Sequence, residues 1–148
     1  MGKKDKKPHL NRQPEESKGP RIDNDPEEYY SVRPSWRLNK LELCDPFGWH
    51  QVDRDTLENV RTKLIAFESM TWREILLDTK KRNHSVKTKD LCKGAQERLE
   101  ALRLDDVDRV LSLHLTGKER VWGLFSQGVL SLLWWDPNHE ICPSTRNH

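Results

Sequence analysis

Three apolar runs separated by turn residues lie near the end of this chain of 148 residues, and they constrain its fold more than any other feature. The runs end in turn at Gly117-Lys118, at Ser126-Gln127-Gly128 and at Asp136-Pro137-Asn138. Short apolar runs joined by such residues are typical of neighbouring antiparallel strands. Residues 111–148 are therefore predicted to form a three-stranded meander, with a possible short fourth strand at 140–142.

Apolar residues upstream of the meander recur at helical spacing. A helix capped by Asp55 is predicted over residues 56–69. A hydroxyl at Thr71 followed by a carboxylate at Glu74 has the capping-box pattern, which predicts a short second helix through about residue 78. A third helix is predicted from about residue 91, ending near residue 105.

The rest of the domain is predicted to contribute one strand and one loop. Residues 36–43 partly alternate after Pro34, which indicates a first strand, and the polar stretch at 80–89 is predicted to be a loop. The order is then a strand, helices and a terminal meander. This order predicts an α+β fold.

The first 33 residues differ in composition from the remainder. They are rich in Lys, Glu, Asp and Pro and have few apolar side chains, so residues 1–33 are predicted to be a flexible charged arm, and 34–148 a single domain. The net charge is only +2 although 34% of the residues are charged, so any attraction for nucleic acid must come from local clustering. Four lysines among residues 3–7 form one such cluster, for which we favour a solvated tail over a binding arm.

Several functional classes are disfavoured by what the sequence contains. Its three widely spaced cysteines argue against a disulfide framework and for a reducing compartment. The charged start has no apolar segment after it and no stretch is long enough to span a membrane, so we expect a soluble, cytoplasmic protein with no membrane partner. Phosphate-loop, dinucleotide-binding, nucleophile-elbow and zinc-protease motifs are missing, and His139 with Cys142 supplies only two metal ligands, so we expect no cofactor and no metal.

Basic residues and histidines fall at the turns and strand starts of the meander, namely Lys118, Arg120, His139, Arg146 and His148. Arg120 starts a predicted strand, where its guanidinium can hold a phosphate through two parallel hydrogen bonds. His139 follows a turn, where an imidazole can act as a general acid or base. The alternatives are a solvated hairpin for the cations and a structural turn residue for the histidine.

The tryptophans Trp122, Trp134 and Trp135 are dense for so short a segment. Residues 129–135 are apolar almost throughout, which predicts a central strand covered on both faces and places at least one of its two tryptophans in the core. Base stacking on a tryptophan remains a second possibility. We therefore count Trp122 with Lys118, Arg146 and His148 as candidate nucleic-acid contacts.

Together with the predicted element order, residues 113–123 (LHLTGKERVWG) and 133–143 (LWWDPNHEICP) resemble the RelE/YoeB branch of the RelE/ParE toxin superfamily. The resemblance covers roughly residues 70–148, with 36–43 as the first strand. It implies a RelE-like domain with a curved antiparallel sheet, an antitoxin protein as partner, and metal-independent cleavage of mRNA on the ribosome by attack of a ribose 2′-hydroxyl on the adjacent phosphate.

The resemblance also implies roles for individual residues. Arg120 matches the strand arginine that contacts the scissile phosphate, with Lys118 as its companion. His139, Arg146 and His148 are candidates for the acid or for holding phosphate, and Glu119 is a candidate base. The tyrosine that the family often places near its C-terminus has no counterpart here, because Tyr29 and Tyr30 lie in the predicted arm. The alternative is therefore a non-catalytic binding module of the same fold or a regulatory protein, interacting with protein or nucleic acid.

Overall fold

The computed structural model of the protein describes residues 29–77, 80 and 82–143. Over these residues the chain forms five strands, β1 (Ser35–Arg37), β2 (His84–Lys87), β3 (Arg109–His114), β4 (Arg120–Ser126) and β5 (Val129–Asp136). It also forms three α-helices, α1 (Arg54–Glu68), α2 (Trp72–Leu76) and α3 (Lys93–Ala101), and 3-10 turns at Trp49–Gln51 and Thr88–Asp90. The predicted α+β class is confirmed.

The strands form one sheet in the order β1-β5-β4-β3-β2. The meander β3-β4-β5 is antiparallel as predicted, β2 adds an antiparallel edge, and β1 pairs in parallel with β5. Two predictions were wrong here. Residues 140–142 form no strand, and part of the polar stretch predicted as a loop forms β2, because an edge strand with one buried residue in four needs little apolar sequence.

The helices follow the predicted spacing with small shifts at their starts, and α3 ends at Ala101, about four residues before the predicted end near residue 105. The cap of α1 is Asp53 rather than Asp55, and its side chain accepts a hydrogen bond from the Thr56 N–H at 2.8 Å. The capping box of α2 is confirmed, since Thr71 Oγ1 accepts from the Glu74 N–H at 3.2 Å and Glu74 Oε1 accepts from the Thr71 N–H at 2.9 Å. Two reciprocal hydrogen bonds thus start a helix of only five residues.

Apolar residues cover both faces of the sheet. Trp122 and Trp134 belong to the cluster that includes buried residues of α3, and Trp135 belongs to the cluster on the other face with Val60 of α1 and Trp72 of α2. Successive residues of a strand point to opposite faces, so the nearly continuous apolar run of β5 fills both clusters. This confirms β5 as a central strand.

The predicted first strand is shorter than expected because the chain turns after Arg37. The N–H of Leu41 reaches the carbonyl of Leu38 at 3.1 Å, and beyond this turn the Glu42 carboxylate is buried. Its two oxygens accept hydrogen bonds from Nε and Nη2 of Arg98 on α3, and Oε1 also accepts from Trp134 Nε1 at 2.9 Å. A buried charge is tolerated here because it is paired and fully hydrogen-bonded.

The last residues of the predicted arm already form hydrogen bonds with α2. The carbonyls of Tyr30 and Val32 accept hydrogen bonds from the N–H groups of Arg73 and Trp72 at 2.8 and 2.9 Å, and Arg73 lies over the Tyr30 ring at 5.4 Å. Contacts with α2 therefore start before the predicted domain boundary at residue 34. Residues 1–28 of the predicted arm lie outside the described residues.

Within the described part of the chain, no helix combines the length and the apolar composition needed to cross a membrane.

Candidate functional site

A row of polar side chains crosses one end of the sheet. His114, Arg120 and Asp136 are register partners on the neighbouring strands β3, β4 and β5. Paired residues of adjacent strands point to the same face, so these three side chains share the face that also carries Trp122 and Trp134. The row marks the end of the apolar core on that face.

Arg120 is half-buried and is held by the turn that precedes its strand. Its Nη1 donates hydrogen bonds to the carbonyls of Gly117 at 2.9 Å and Glu119 at 3.1 Å. The turn can close in this way because Gly117 has a φ of +57°, which glycine adopts without steric cost. Burial lowers the pKa of Arg120 while the charge of Asp136 acts in the opposite direction, and the group stays cationic at neutral pH.

Asp136 is fully buried at the end of β5 and accepts three hydrogen bonds. Its Oδ1 accepts from the Glu140 N–H at 2.8 Å, and Oδ2 accepts from the Ile141 N–H and from Trp122 Nε1, both at 3.1 Å. The carboxylate thereby folds the segment after the turn back onto the sheet. Within that segment His139 takes a φ of +58°, a conformation that few residues with a side chain adopt.

His139 is half-buried among positive charges. Burial is the main cause that lowers its pKa, and the guanidinium of Arg120 lowers the pKa further. His84 and Lys118 act in the same direction, whereas Asp136 opposes them. A histidine with a pKa below its ordinary value is neutral at pH 7, so its imidazole can accept a proton.

His114 is the second histidine of the site. Its Nε2 lies 3.0 Å from the same Gly117 carbonyl that Arg120 contacts. Burial and then the charge of Arg120 lower the pKa of His114, with smaller contributions from Arg82 and Lys63, while the Gly117 carbonyl raises it. The site therefore combines two imidazoles of lowered pKa with a fixed guanidinium.

The structure brings some of the predicted site residues together and separates others. Arg120 and His139 share the site, with the exposed Lys118 close enough for its charge to affect His139. Glu119, in the same turn, contributes its backbone, since its N–H reaches the Thr116 carbonyl at 2.9 Å and its carbonyl accepts from Leu115 and Arg120. Arg146 and His148 lie outside the described residues.

Trp122 lies in the core rather than on the surface. Its side chain is 1% exposed and its indole N–H donates to Asp136, so its ring has no face open to a nucleobase. Both Trp134 and Trp135 are buried as well. The tryptophans of the meander therefore support the fold of the site and do not form its surface.

Sequence reasoning missed Asp136 and His114 as parts of the site. The sequence pattern indicates only a turn at Asp136, and His114 lies inside an apolar run. The signal for both was the hairpin register, because fixing the turns of the meander aligns His114, Arg120 and Asp136 across three strands.

The arrangement can bind an anion and move a proton. One guanidinium, an exposed ammonium and two imidazoles surround the end of the sheet, and the one carboxylate of the row is occupied by three donors. Among the residues that the structure describes, no group of three or more His, Cys, Asp or Glu side chains could hold a metal ion. Among the described residues of this site, Arg120, Lys118, His139 and His114 can act on a bound phosphate.

Comparison of the chain with protein-family models, with curated proteins and with solved structures finds no match. The resemblance to the RelE/YoeB branch remains a prediction from the sequence.

Proposed function

We propose that this protein is a toxin-like, ribosome-dependent endoribonuclease that cleaves mRNA without a metal, with a RelE-like fold and an antitoxin protein as partner. The observation that carries the proposal is the geometry at one end of the sheet: Asp136 is the register partner of Arg120 and holds the segment that carries His139, and Lys118 lies in the turn before Arg120. Phosphodiester cleavage by a 2′-hydroxyl needs a proton acceptor and cationic donors, and these are the groups present.

The reaction follows from the protonation states of these groups. His139 is the base that removes the proton of the 2′-hydroxyl, because its neutral form dominates at pH 7. The 2′-oxygen then attacks the adjacent phosphorus, and the bond from phosphorus to the 5′-oxygen breaks. The products are a 2′,3′-cyclic phosphate and a 5′-hydroxyl; the 5′-oxygen takes its proton from solvent water, and the resulting hydroxide takes back the proton held by His139.

Arg120 acts on the phosphate. Charge accumulates on the phosphoryl oxygens as the 2′-oxygen attacks, and a guanidinium fixed in advance stabilises that charge without reorganising. Its two bonds to the turn carbonyls provide this fixation. Lys118 is exposed at the same turn, where its charge attracts the RNA backbone to the site.

Replacement of Arg120 by alanine tests the proposal. Expression of the wild-type protein in a bacterial host should arrest growth and create new mRNA ends, read by primer extension. The Arg120→Ala variant should lose both effects, with a fall in cleavage of about 100-fold or more, as for removal of one transition-state donor.

The matched control is Arg109→Ala, because Arg109 is an exposed arginine at the opposite end of β3 from His114. This control should remain as toxic as the wild type. Circular dichroism should show that both variants fold. Full toxicity in a folded Arg120→Ala variant would contradict the proposal.

One observation favours the non-catalytic binding module as a second candidate. Both hydrogen bonds of the Arg120 guanidinium within the described residues go to carbonyls of its own turn, which is also what a purely structural arginine does. For this candidate, the intact protein should cleave no RNA with ribosomes present. Deletion of residues 1–28 should then weaken binding of its protein or nucleic-acid partner.

A further inference from the structure

An open groove lies on the other face of the sheet from the Arg120 site, between α1 and the turn that follows β1. Leu64 and Leu132 line this groove and belong to the apolar cluster of that face, whereas Trp122 beside the site belongs to the opposite cluster. The groove measures about 550 Å³. All of its lining residues except Arg61 and Glu68 are apolar.

The groove leaves large apolar side chains open to water. Leu38, Leu57 and Ile65 line it and are 63%, 51% and 46% exposed. They make up half of the six large apolar side chains that are exposed in the described part of the chain. An exposed apolar patch with polar residues at its rim is typical of a surface that binds another protein.

The undescribed parts of the chain offer little to cover this groove. Residues 1–28, 78, 79, 81 and 144–148 together hold only three large apolar side chains, those of Met1, Leu10 and Ile22. The free energy gained from covering an apolar surface grows with the apolar area that is removed from water. A partner that binds the groove must therefore bring an apolar surface of its own.

The two charged residues of the groove indicate which partner fits. Arg61 and Glu68 lie on the same side of α1, but about 10 Å of helix axis separates them, which is too far for an ion pair within one helix. Glu68 Oε2 accepts a hydrogen bond from Trp36 Nε1 at 2.6 Å, and Arg61 forms no hydrogen bond or ion pair with any described residue. The groove thus presents one cation and one anion along a helix, a pattern that is complementary to its own reversed copy.

We propose that this groove is the interface of a homodimer, in which the α1 helices of two subunits lie antiparallel about a two-fold axis near Leu64 and Ile65. In this arrangement Arg61 of each subunit faces Glu68 of the partner subunit, and the exposed apolar side chains of the two grooves cover each other. A two-fold interface uses the same patch on both subunits, so it requires a surface that is complementary to itself.

The dimer does not depend on the proposed ribonuclease function. The residues of the Arg120 site share the opposite face of the sheet, so association through the groove leaves both sites of the dimer open.

Sedimentation velocity of the full chain at low salt, from about 10 μM to about 1 mM, tests the dimer. The wild type should pass from monomer to dimer over this range. Arg61→Glu and Glu68→Arg should each weaken association by about tenfold or more, because each variant sets two pairs of like charges against one another. The double variant with both changes restores opposite charges in both pairs and should recover the dimer.

The apolar part of the interface is tested by Leu38→Ser, which should weaken the dimer and leave the fold intact because Leu38 is exposed in the monomer. Its matched control is Leu77→Ser, since Leu77 is 56% exposed and does not line the groove. Lys63→Glu is the control for the charge reversals, because Lys63 is an exposed cation of α1 outside the groove. Both controls should dimerise as the wild type does.

Three results would overturn the homodimer. The first is a wild-type chain that stays monomeric over the whole range, which would assign the groove to a different occupant. The second is a dimer that no groove variant weakens more than its control, because such a dimer forms elsewhere. The third is a double variant that circular dichroism shows to be folded and that associates no better than Arg61→Glu and Glu68→Arg alone.

Discussion

Asp136 shows how one buried side chain organises the candidate site. A carboxylate has two acceptor oxygens, and here one tryptophan and two backbone N–H groups from a following turn use both of them. Those bonds fix the segment that carries His139. Asp136 thus positions His139 without needing to contact a ligand.

Replacement of Asp136 by asparagine should reduce the stability of the protein. In either orientation the asparagine amide turns its own N–H groups toward at least one of the donors, which leaves a buried group unsatisfied and costs about 1–3 kcal/mol of unfolding free energy. Urea unfolding measures this loss. The exposed Asp106→Asn is the control and should change the free energy little.

The same variant should lower the pKa of His139. The negative charge of Asp136 opposes the effect of Arg120 on this imidazole, so its removal leaves the lowering by Arg120 unopposed. Titration of the histidine signals by nuclear magnetic resonance measures the shift. An unchanged His139 pKa in a folded Asp136→Asn variant would show that the charge of Asp136 does not affect the His139 imidazole.

At the scale of elements, the hairpin between β4 and β5 depends on the two residues of its turn. Gln127 and Gly128 have φ angles of 53° and 84°, as a two-residue hairpin of matching twist requires. A Cβ atom at Gly128 would lie 2.8 Å from Cγ2 of Val32. The indole N–H of Trp72 also donates to the Gly128 carbonyl at 2.8 Å, so the turn is packed against the segment before β1.

Gly128→Ala should therefore destabilise the protein by about 1–3 kcal/mol, through backbone strain and the contact with Val32. The matched control is Gly94→Ala on α3, where a Cβ atom meets nothing within 4 Å and φ is not positive. This substitution should be neutral or stabilising by up to about 1 kcal/mol. Equal melting temperatures for the two variants would contradict this account of the turn.

The elements differ in how far the sequence predicts them. The meander and helices were predictable because turn dipeptides, a capping box and helical apolar spacing are local signals. β2 was not, since three of its four residues are exposed and only Val86 is buried. Asp53 and Asp55 both have a side chain that can cap a helix N-terminus, so the sequence does not distinguish them. The hydrogen bond from the Thr56 N–H shows that Asp53 is the cap, and this bond is formed only in the folded chain.

In the candidate site, too, some features follow from local sequence signals and others from tertiary structure. Arg120 and His139 were predictable from their places beside turns, whereas the pairing of Arg120 with Asp136 depends on strand register. The burial of Trp122 depends on which face of β4 the helix covers. These facts belong to tertiary structure, and no local pattern encodes them.

For the whole molecule, the two site histidines make stability depend on pH. Their pKa values in the folded protein lie below the ordinary value of 6.5, so the unfolded chain binds protons first as the pH falls. The free energy of unfolding should therefore be independent of these groups above about pH 7 and should decrease as the pH drops through 6.5 toward their folded values.

Thermal unfolding between about pH 5 and pH 8 measures this dependence. His139→Asn is the informative variant, because asparagine tolerates a positive φ and does not titrate, and it should flatten the curve. His50→Asn is the control, since His50 is exposed and lies outside the site. An unchanged slope in His139→Asn would show that this histidine does not contribute.

The parallel pairing of β1 with β5 has a consequence for how the protein is made. Ser35 pairs with Val129 and Arg37 with Ser131, so β1 cannot pair in the sheet until β5 is available. During translation β1 leaves the exit tunnel early and stays unpaired while the rest of the domain is synthesised. A nascent chain stalled before residue 129 should therefore be cut by protease near Trp36, whereas the chain released from the ribosome should be protected there.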